Sequence, residues 1–262
     1  MGLVSHVKQI LGKLVTFCGS QFVKYGLYLR FFWDPPKSIF HKNVTNDRTD
    51  LPKILQLLGK IKTDKLNIVI AGLHYGETAE EYLNFLPNSL LIGYEPNPVS
   101  LSIAKDNLAK FGTRVTFRNL ALLDNKARLP LNLYLDSGAD SLLQSKTDTA
   151  LDSIQVDSST LDIELRNFSS IDILQIDCQG SERQIILGME ESMMKDRIKC
   201  IKIEGLMDEF YVGQSSFWEL ASMLQHRFKF CGFSSMKFAE GQKCNLEWVD
   251  AIFIRKDIVC AM

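Results

Sequence analysis

From residue 50 onward the apolar and polar positions switch between two periods, and the switching outlines a fold. Asp50 is placed to cap "LPKILQLLGKI", where Leu51, Ile54, Leu55, Leu58 and Ile61 recur at helical spacing. "LNIVIAG" (66–72) is a short apolar run closed by glycine, which predicts a strand. "ETAEEYLNFL" (77–86) has helical composition, with acids in its first turns where the helix dipole is positive. "SLLIGYEPNP" (89–98) predicts a second buried strand, after which Asn97 as cap and Pro98 at the first position open a helix ending at Gly112. "RVTFRNLALLD" (114–124) predicts the third strand.

Residues 126–160 depart from this rhythm. "RLPLNLYLD" and "SIQVDSSTLD" have strand patterns on either side of the polar loop "SGADSLLQSKTDTA", which predicts a β-hairpin insertion. The alternation then resumes with a strand at 171–177, a helix at 180–193, a strand at 198–205, a helix at 215–228, and the strands "FKFCGF" and "EWVDAIFIRK". Strands alternating with helices predict an α/β domain whose mostly parallel sheet is covered on both faces.

The N-terminal part is different. Residues 1–32 hold Lys8, Lys13, Lys24 and Arg30 but no acid, and residues 31–47 carry a Pro pair and turn formers. They divide the chain into a basic helical segment with a connector (1–49) and a main domain (50–262). The longest uncharged run, Leu14 to Val23, is far short of the roughly 20 residues that span a bilayer. Two readings stay open: an amphipathic helix lying on an anionic membrane surface, or, as we prefer, one packing its apolar face on the main domain.

Composition narrows the class without naming it. With 30 basic and 31 acidic residues the net charge is -1, and nothing global points to nucleic acid. The six cysteines form no C-x-x-C pair or repeated spacing, which fits a reducing cytoplasm rather than a disulfide frame.

In such sheets ligands bind outside the carboxyl ends of the strands, so the residues just after each strand are the site candidates. After the first strand comes "GLHYG", in which Gly72 and Gly76 let a ligand approach the backbone beside a helix N-terminus. Glu95 ends the second strand, placed to accept hydrogen bonds from both hydroxyls of a ribose. The loop lacks G-x-G-x-x-G, which disfavours an NAD-linked reductase and favours a nucleotide without a pyrophosphate, such as S-adenosylmethionine.

At this point the chain resembles the FkbM family of S-adenosylmethionine-dependent methyltransferases, over about residues 50 to 255. The resemblance rests on "GLHYG", "YEPNP", "NLALLD", "VDSSTLD", "IDILQIDCQGSE", "IKIEG" and "EWVDAIFIRK", in that order. It implies a Rossmann-like class I methyltransferase with a seven-stranded, mostly parallel sheet and an antiparallel last strand. It also implies methylation of a hydroxyl oxygen on a sugar, glycolipid or related natural product. Gly72, His74 and Gly76 would border the methionine half of the cofactor, Glu95 the ribose, Asn119 and Ala121 the adenine, and Asp177 the methyl-donor end, with Asn97 also counted among the cofactor-binding residues. The chain departs from the family at Ile70, where members carry an acid that helps hold the cofactor's ammonium group, and at His74, where they tend to carry Asn. Either affinity falls or the role passes to Glu77, Glu80 or Asp177.

Methyl transfer to oxygen is an in-line displacement, so the protein supplies alignment and a route for the hydroxyl proton. Asp177, ending the strand at 171–177, is the first candidate base and Glu204, after "IKI", the second; Glu182 is expected to orient the turn. The bland alternatives are a helix cap for Asp177 and an ion pair for Glu204. Carboxylates in this number could bind Mg²⁺, but sequence does not bring them together, so no metal is assigned. A competing function is a catalytically weak cofactor-binding module acting through the basic N-terminus.

Overall fold

The structure, a computed structural model, describes residues 50–239 and 245–260. The expectation of basic helices and a connector in residues 1–49 lies outside the described residues.

The described residues form ten strands and eight α-helices, with two short 3-10 turns. The helix α1 (Leu51–Leu58) buries Leu51, Ile54, Leu55 and Leu58, as its spacing predicts. Two expectations for it fail. Gly59 turns left-handed (φ 59°) and ends the helix, so Ile61 stands 64% exposed instead of extending the apolar face. Asp50 occupies the cap position but makes no side-chain capping bond. Its carboxylate instead pairs at 2.7 Å with the buried Lys202, which also meets Asp250 at 3.1 Å. A buried ammonium needs compensating charge more than an exposed helix end needs a cap.

The chain continues through β1 (Asn67–Ala71), α2 (Glu77–Phe85), β2 (Leu90–Tyr94), α3 (Pro98–Leu108) and β3 (Val115–Arg118). Next come β4 (Ala121–Leu122), β5 (Arg128–Leu133), β6 (Asp152–Ser159) and α4 (Leu161–Glu164). The second half holds β7 (Ile171–Ile176), α5 (Glu182–Leu187), α6 (Glu190–Met194), β8 (Ile198–Leu206), α7 (Phe217–Leu224), β9 (Phe228–Phe238), β10 (Leu246–Arg255) and α8 (Lys256–Cys260).

Seven strands form one sheet in the order β3-β2-β1-β7-β8-β10-β9. The first five run parallel, and β10 is antiparallel to both β8 and β9. Strand order reverses between β1 and β7, which opens a crevice at their carboxyl ends. Alternation along β1 sends Ile68 and Ile70 into a core under α1, α2 and α3, and Val69 and Ala71 into a second core with α5 and α7. Each such isoleucine or valine contributes about 1.5–3 kcal/mol on full burial.

β7 is buried along its whole length, yet it includes two polar residues. Asp172 accepts the Asn67 backbone N–H at 2.8 Å and pairs with Lys199, while Gln175 accepts the Tyr82 hydroxyl at 2.8 Å. Both are satisfied inside the sheet, so the polar break in this strand is structural.

Two predicted elements divide. The expected strand 114–124 splits at Asn119, because its amide donates to the main-chain carbonyls of Glu95 and Pro96 at 2.8 and 2.9 Å and ties the chain to the end of β2. β4 then leaves the main sheet and joins the antiparallel hairpin β5–β6 in a second sheet of order β4-β6-β5. The expected helix 180–193 breaks into α5 and α6 around Gly188, where a Cβ would lie 2.0 Å from the Leu123 carbonyl oxygen. Close packing of these two segments leaves no room for a side chain.

Candidate active site

The crevice is built first by backbone. At the end of β1, Gly72 adopts φ 83° and its N–H donates to the Tyr94 carbonyl of β2. The Asp177 N–H donates to the Ala71 carbonyl, which stitches the end of β7 to the same turn. A Cβ on Gly72 would lie 1.8 Å from the Asp177 carbonyl oxygen, so the glycine lets the first loop and the end of β7 touch. His74 follows with φ 50°, and Gly76 (φ 90°) begins α2.

Glu95 sits at the end of β2, 8% exposed. Its Oε2 accepts the His74 N–H at 2.8 Å and its Oε1 accepts the Asn97 N–H at 2.9 Å. Burial pushes its carboxyl up to about 7 against the pull of those two N–H groups. Each oxygen has a lone pair left, so the group can accept two further donors from a bound diol. Asn97 caps α3 as expected, its Oδ1 accepting the Val99 N–H at 2.9 Å.

Asp177, Gln179 and Glu204 meet on the other side of the crevice. The Gln179 Nε2 donates to Asp177 Oδ1 at 2.9 Å and to Glu204 Oε2 at 3.1 Å. Glu204 is 9% exposed; burial first, then the neighbouring Asp177 charge, raises its carboxyl well above the usual range. The Glu182 and Asp250 charges push it in the same direction. The ion pair weighed for Glu204 is not what holds it, because Lys202, two residues earlier, is committed to Asp50 and Asp250. Glu182 orients the turn as expected: its Oε1 accepts the N–H groups of Cys178 at 2.9 Å and Gly180 at 3.3 Å.

The insertion reaches over both halves. Ser137 Oγ lies 3.0 Å from His74 Nε2 and 2.7 Å from the Tyr75 hydroxyl, and the two rings stack at 3.8 Å. Asn97 Nδ2 donates to Asp140 Oδ2 at 2.9 Å, and Ser141 Oγ donates to the Gln179 carbonyl at 2.6 Å. One short stretch, 137–141, thus contacts the loops after β1, β2 and β7.

The structure therefore gathers His74, Glu95, Asn97 and Asn119 at the ends of β1 and β2, with Gly76 opening α2, pairs Asp177 with Glu204 through Gln179, and sets Gly72 against the Asp177 backbone. Ala121 lies in β4 and packs with Leu131, Leu133 and Val156 of the small sheet. Ile70 is 1% exposed, in the core under α1, α2 and α3. Of the substitutes weighed, Glu80 pairs with Lys110 on the surface, while Glu77 lies 3.5 Å from His74 Nδ1 and Asp177 adjoins the first turn. Sequence reading missed Gln179, Tyr211, Ser137, Asp140 and Ser141. Gln179 stands inside the quoted "IDILQIDCQGSE" and was legible as polar; the others sit in loops without a readable pattern. Among the described residues no group of three or more His, Cys, Asp or Glu is arranged to hold a metal ion.

A sheet of this order, its next-to-edge strand reversed, with a glycine turn after β1 and an acid after β2, defines a Rossmann-like class I methyltransferase. The methyltransferase FkbM domain matches residues 71–235, more than half of the chain. The chain belongs to the FkbM methyltransferase family, and its cofactor is S-adenosylmethionine.

Among solved structures, the chain is similar to a precorrin-6y C5,15-methyltransferase from Geobacter metallireducens GS-15, at 16% identity over 82% of this chain and 92% of that one, TM-score 0.45. It is similar to M. capricolum TrmK in complex with S-adenosyl-homocysteine, at 13% identity over 78% and 68%, TM-score 0.44. It is also similar to TehB from Haemophilus influenzae, at 11% identity over 82% and 64%, TM-score 0.45. No curated protein matches it.

The residues present fit the cofactor's sugar. A buried carboxylate anchored by two N–H groups, with acceptor capacity left on both oxygens, is the donor-seeking partner a ribose diol needs.

Proposed function

We propose that the protein is an O-methyltransferase that modifies a hydroxyl of a sugar, glycolipid or related natural product. The observation that carries this reading is the meeting of Asp177 and Glu204 through one glutamine amide at the carboxyl ends of adjacent strands. A hydroxyl acceptor must lose a proton as its oxygen is alkylated, and this end of the crevice offers a place for it.

S-adenosylmethionine, when bound, supplies a methyl group activated by a sulfonium. Glu95 holds the ribose hydroxyls; Gly72, His74 and Gly76 border the methionine half; Asn97 supports the ribose side, and Asn119 with Ala121 the adenine. Asp177 accepts the hydroxyl proton. Glu204, kept protonated by burial and by its neighbour, keeps a second negative charge out of the pocket.

A small hydroxylated acceptor rather than a nucleic acid is supported by the net charge of -1. Free cysteines at Cys178, Cys200 and Cys231 support a cytoplasmic setting. Among the described residues no helix is long and apolar enough to cross a membrane. A peripheral contact through residues 1–32 is the accompanying proposal.

The test begins with calorimetric titration of S-adenosylmethionine, followed by methyl transfer to a panel of glycans and polyhydroxylated small molecules. Asp177→Asn is expected to keep cofactor binding and lose turnover by at least about a hundredfold. Undiminished turnover in that variant sinks the base assignment.

The buried Ile70 favours one second reading, a weakly catalytic cofactor-binding module. Measurable turnover on any glycan would eliminate it.

A further inference from the structure

Gln179 is one of the non-glycine residues held at positive φ, at 51°. That conformation costs a residue with a Cβ on the order of 1 kcal/mol or more, and persists where the surroundings over-determine it. Here they do. Its carbonyl accepts Ser141 Oγ at 2.6 Å, its Oε1 accepts the Tyr211 hydroxyl at 2.9 Å, and its Nε2 reaches both Asp177 and Glu204.

An amide nitrogen carries two hydrogens, so the donor capacity of this one is used up on two carboxyl groups. The reverse amide orientation would aim an oxygen at both of them, so the network selects this one. The Tyr211 phenol, raised by burial, stays protonated and donates to the amide oxygen.

We infer that Gln179 is a positioning residue that binds Asp177 and Glu204 into a single proton-sharing pair. The catalytic meaning of the pair rests on the base reading above, but its existence does not. The groups facing it are Glu182 from α5, Asp250 from β10, Tyr211 from the loop after β8, and Cys178 beside Asp177. Asp250 pairs at 3.1 Å with Lys202, which it shares with Asp50. Among these groups a neutral amide, not a cation, bridges the pair.

The consequence can be read without an acceptor. Carboxyl carbons of Asp and Glu are labelled with ¹³C in the full-length chain and titrated by NMR, in the wild type and in Gln179→Gly and Gln179→Glu. Glycine relieves the positive φ while deleting the bridge, so a folded Gln179→Gly reads the loss of the bridge without added backbone strain.

The expected result is an upward move of the pair's ionisations by about one pH unit in Gln179→Gly, since their anion loses its donors. A larger move is expected in Gln179→Glu, which adds a third carboxyl. Superposition of the Asp177 and Glu204 titrations on the wild type in a folded Gln179→Gly overturns the inference. Should the glycine variant not fold, the same superposition in Gln179→Glu overturns it. Loss of the base reading shows separately, as undiminished turnover in Asp177→Asn while the wild-type and Gln179 variant titrations still differ as expected.

Discussion

Glu95 Oε2 accepts the backbone N–H of His74 at 2.8 Å, so the acid that ends the second strand also shapes the loop after the first. The ribose recognition proposed for Glu95 and the geometry of the first loop thus rest on one carboxylate. Glu95→Ala is expected to weaken S-adenosylmethionine binding at least about tenfold, from lost charge-assisted hydrogen bonds. Because burial raises the group to about 7, wild-type affinity should climb between pH 6 and 8 as the carboxylate forms, whereas Glu95→Gln should show no such climb. Titration calorimetry at both pH values decides it; unchanged binding in Glu95→Ala refutes the ribose role.

Gly72→Ala tests the contact between the first loop and the end of β7. The new Cβ would lie 1.8 Å from the Asp177 carbonyl oxygen, and the backbone stands at φ 83°. Destabilisation above about 2 kcal/mol is expected, together with loss of cofactor binding. A thermal melt and a binding titration check both; a variant as stable as the wild type would show that the contact is not tight.

Glu182 gives stability a pH dependence of known sign. Its folded value is raised from 4.5 to about 7, chiefly by burial, so the folded state holds this proton more tightly than the unfolded chain does. The resulting stabilisation is complete below about 4.5 and is lost as pH rises through about 7. Glu95 acts in the same direction over the same window. Melting temperature should therefore fall between pH 5 and 8, and Glu182→Gln, which can still accept the Cys178 and Gly180 N–H groups, should flatten part of the fall. Parallel pH profiles for the two proteins would contradict this.

Asn97 does two jobs that mutation can separate. Asn97→Ala loses the cap of α3, worth about 1 kcal/mol, and also the bond to Asp140. Asp140→Ala loses that bond and the one to the Tyr134 N–H but leaves the cap. Denaturant titrations should show the double variant less destabilised than the sum of the singles, because one shared bond is removed only once. Strict additivity would mean the insertion does not bear on the cap.

Much of the fold was legible because burial imposes period. Helix α1, β1, β2 and β7 lie where alternating or continuous apolar runs placed them, since one wrong register would turn their side chains to the opposite face. The break of 114–124 was not legible, because nothing in "RVTFRNLALLD" shows that Asn119 will bind two carbonyls on another strand. Asp50 was misread for a similar reason: its local context is that of a cap, and its partner Lys202 is distant in sequence.

By itself the sequence determined the alternation of strands and helices, the family, and the residues that end each strand, because each is written in local pattern and order. Only the tertiary structure decided that Asp177 and Glu204 meet through Gln179, that residues 137–141 contact three loop ends, and that Ile70 belongs to the core. Those are relations between residues far apart along the chain. Hydrogen bonds and burial at such separations are set by how the sheet is ordered, not by what stands next to what.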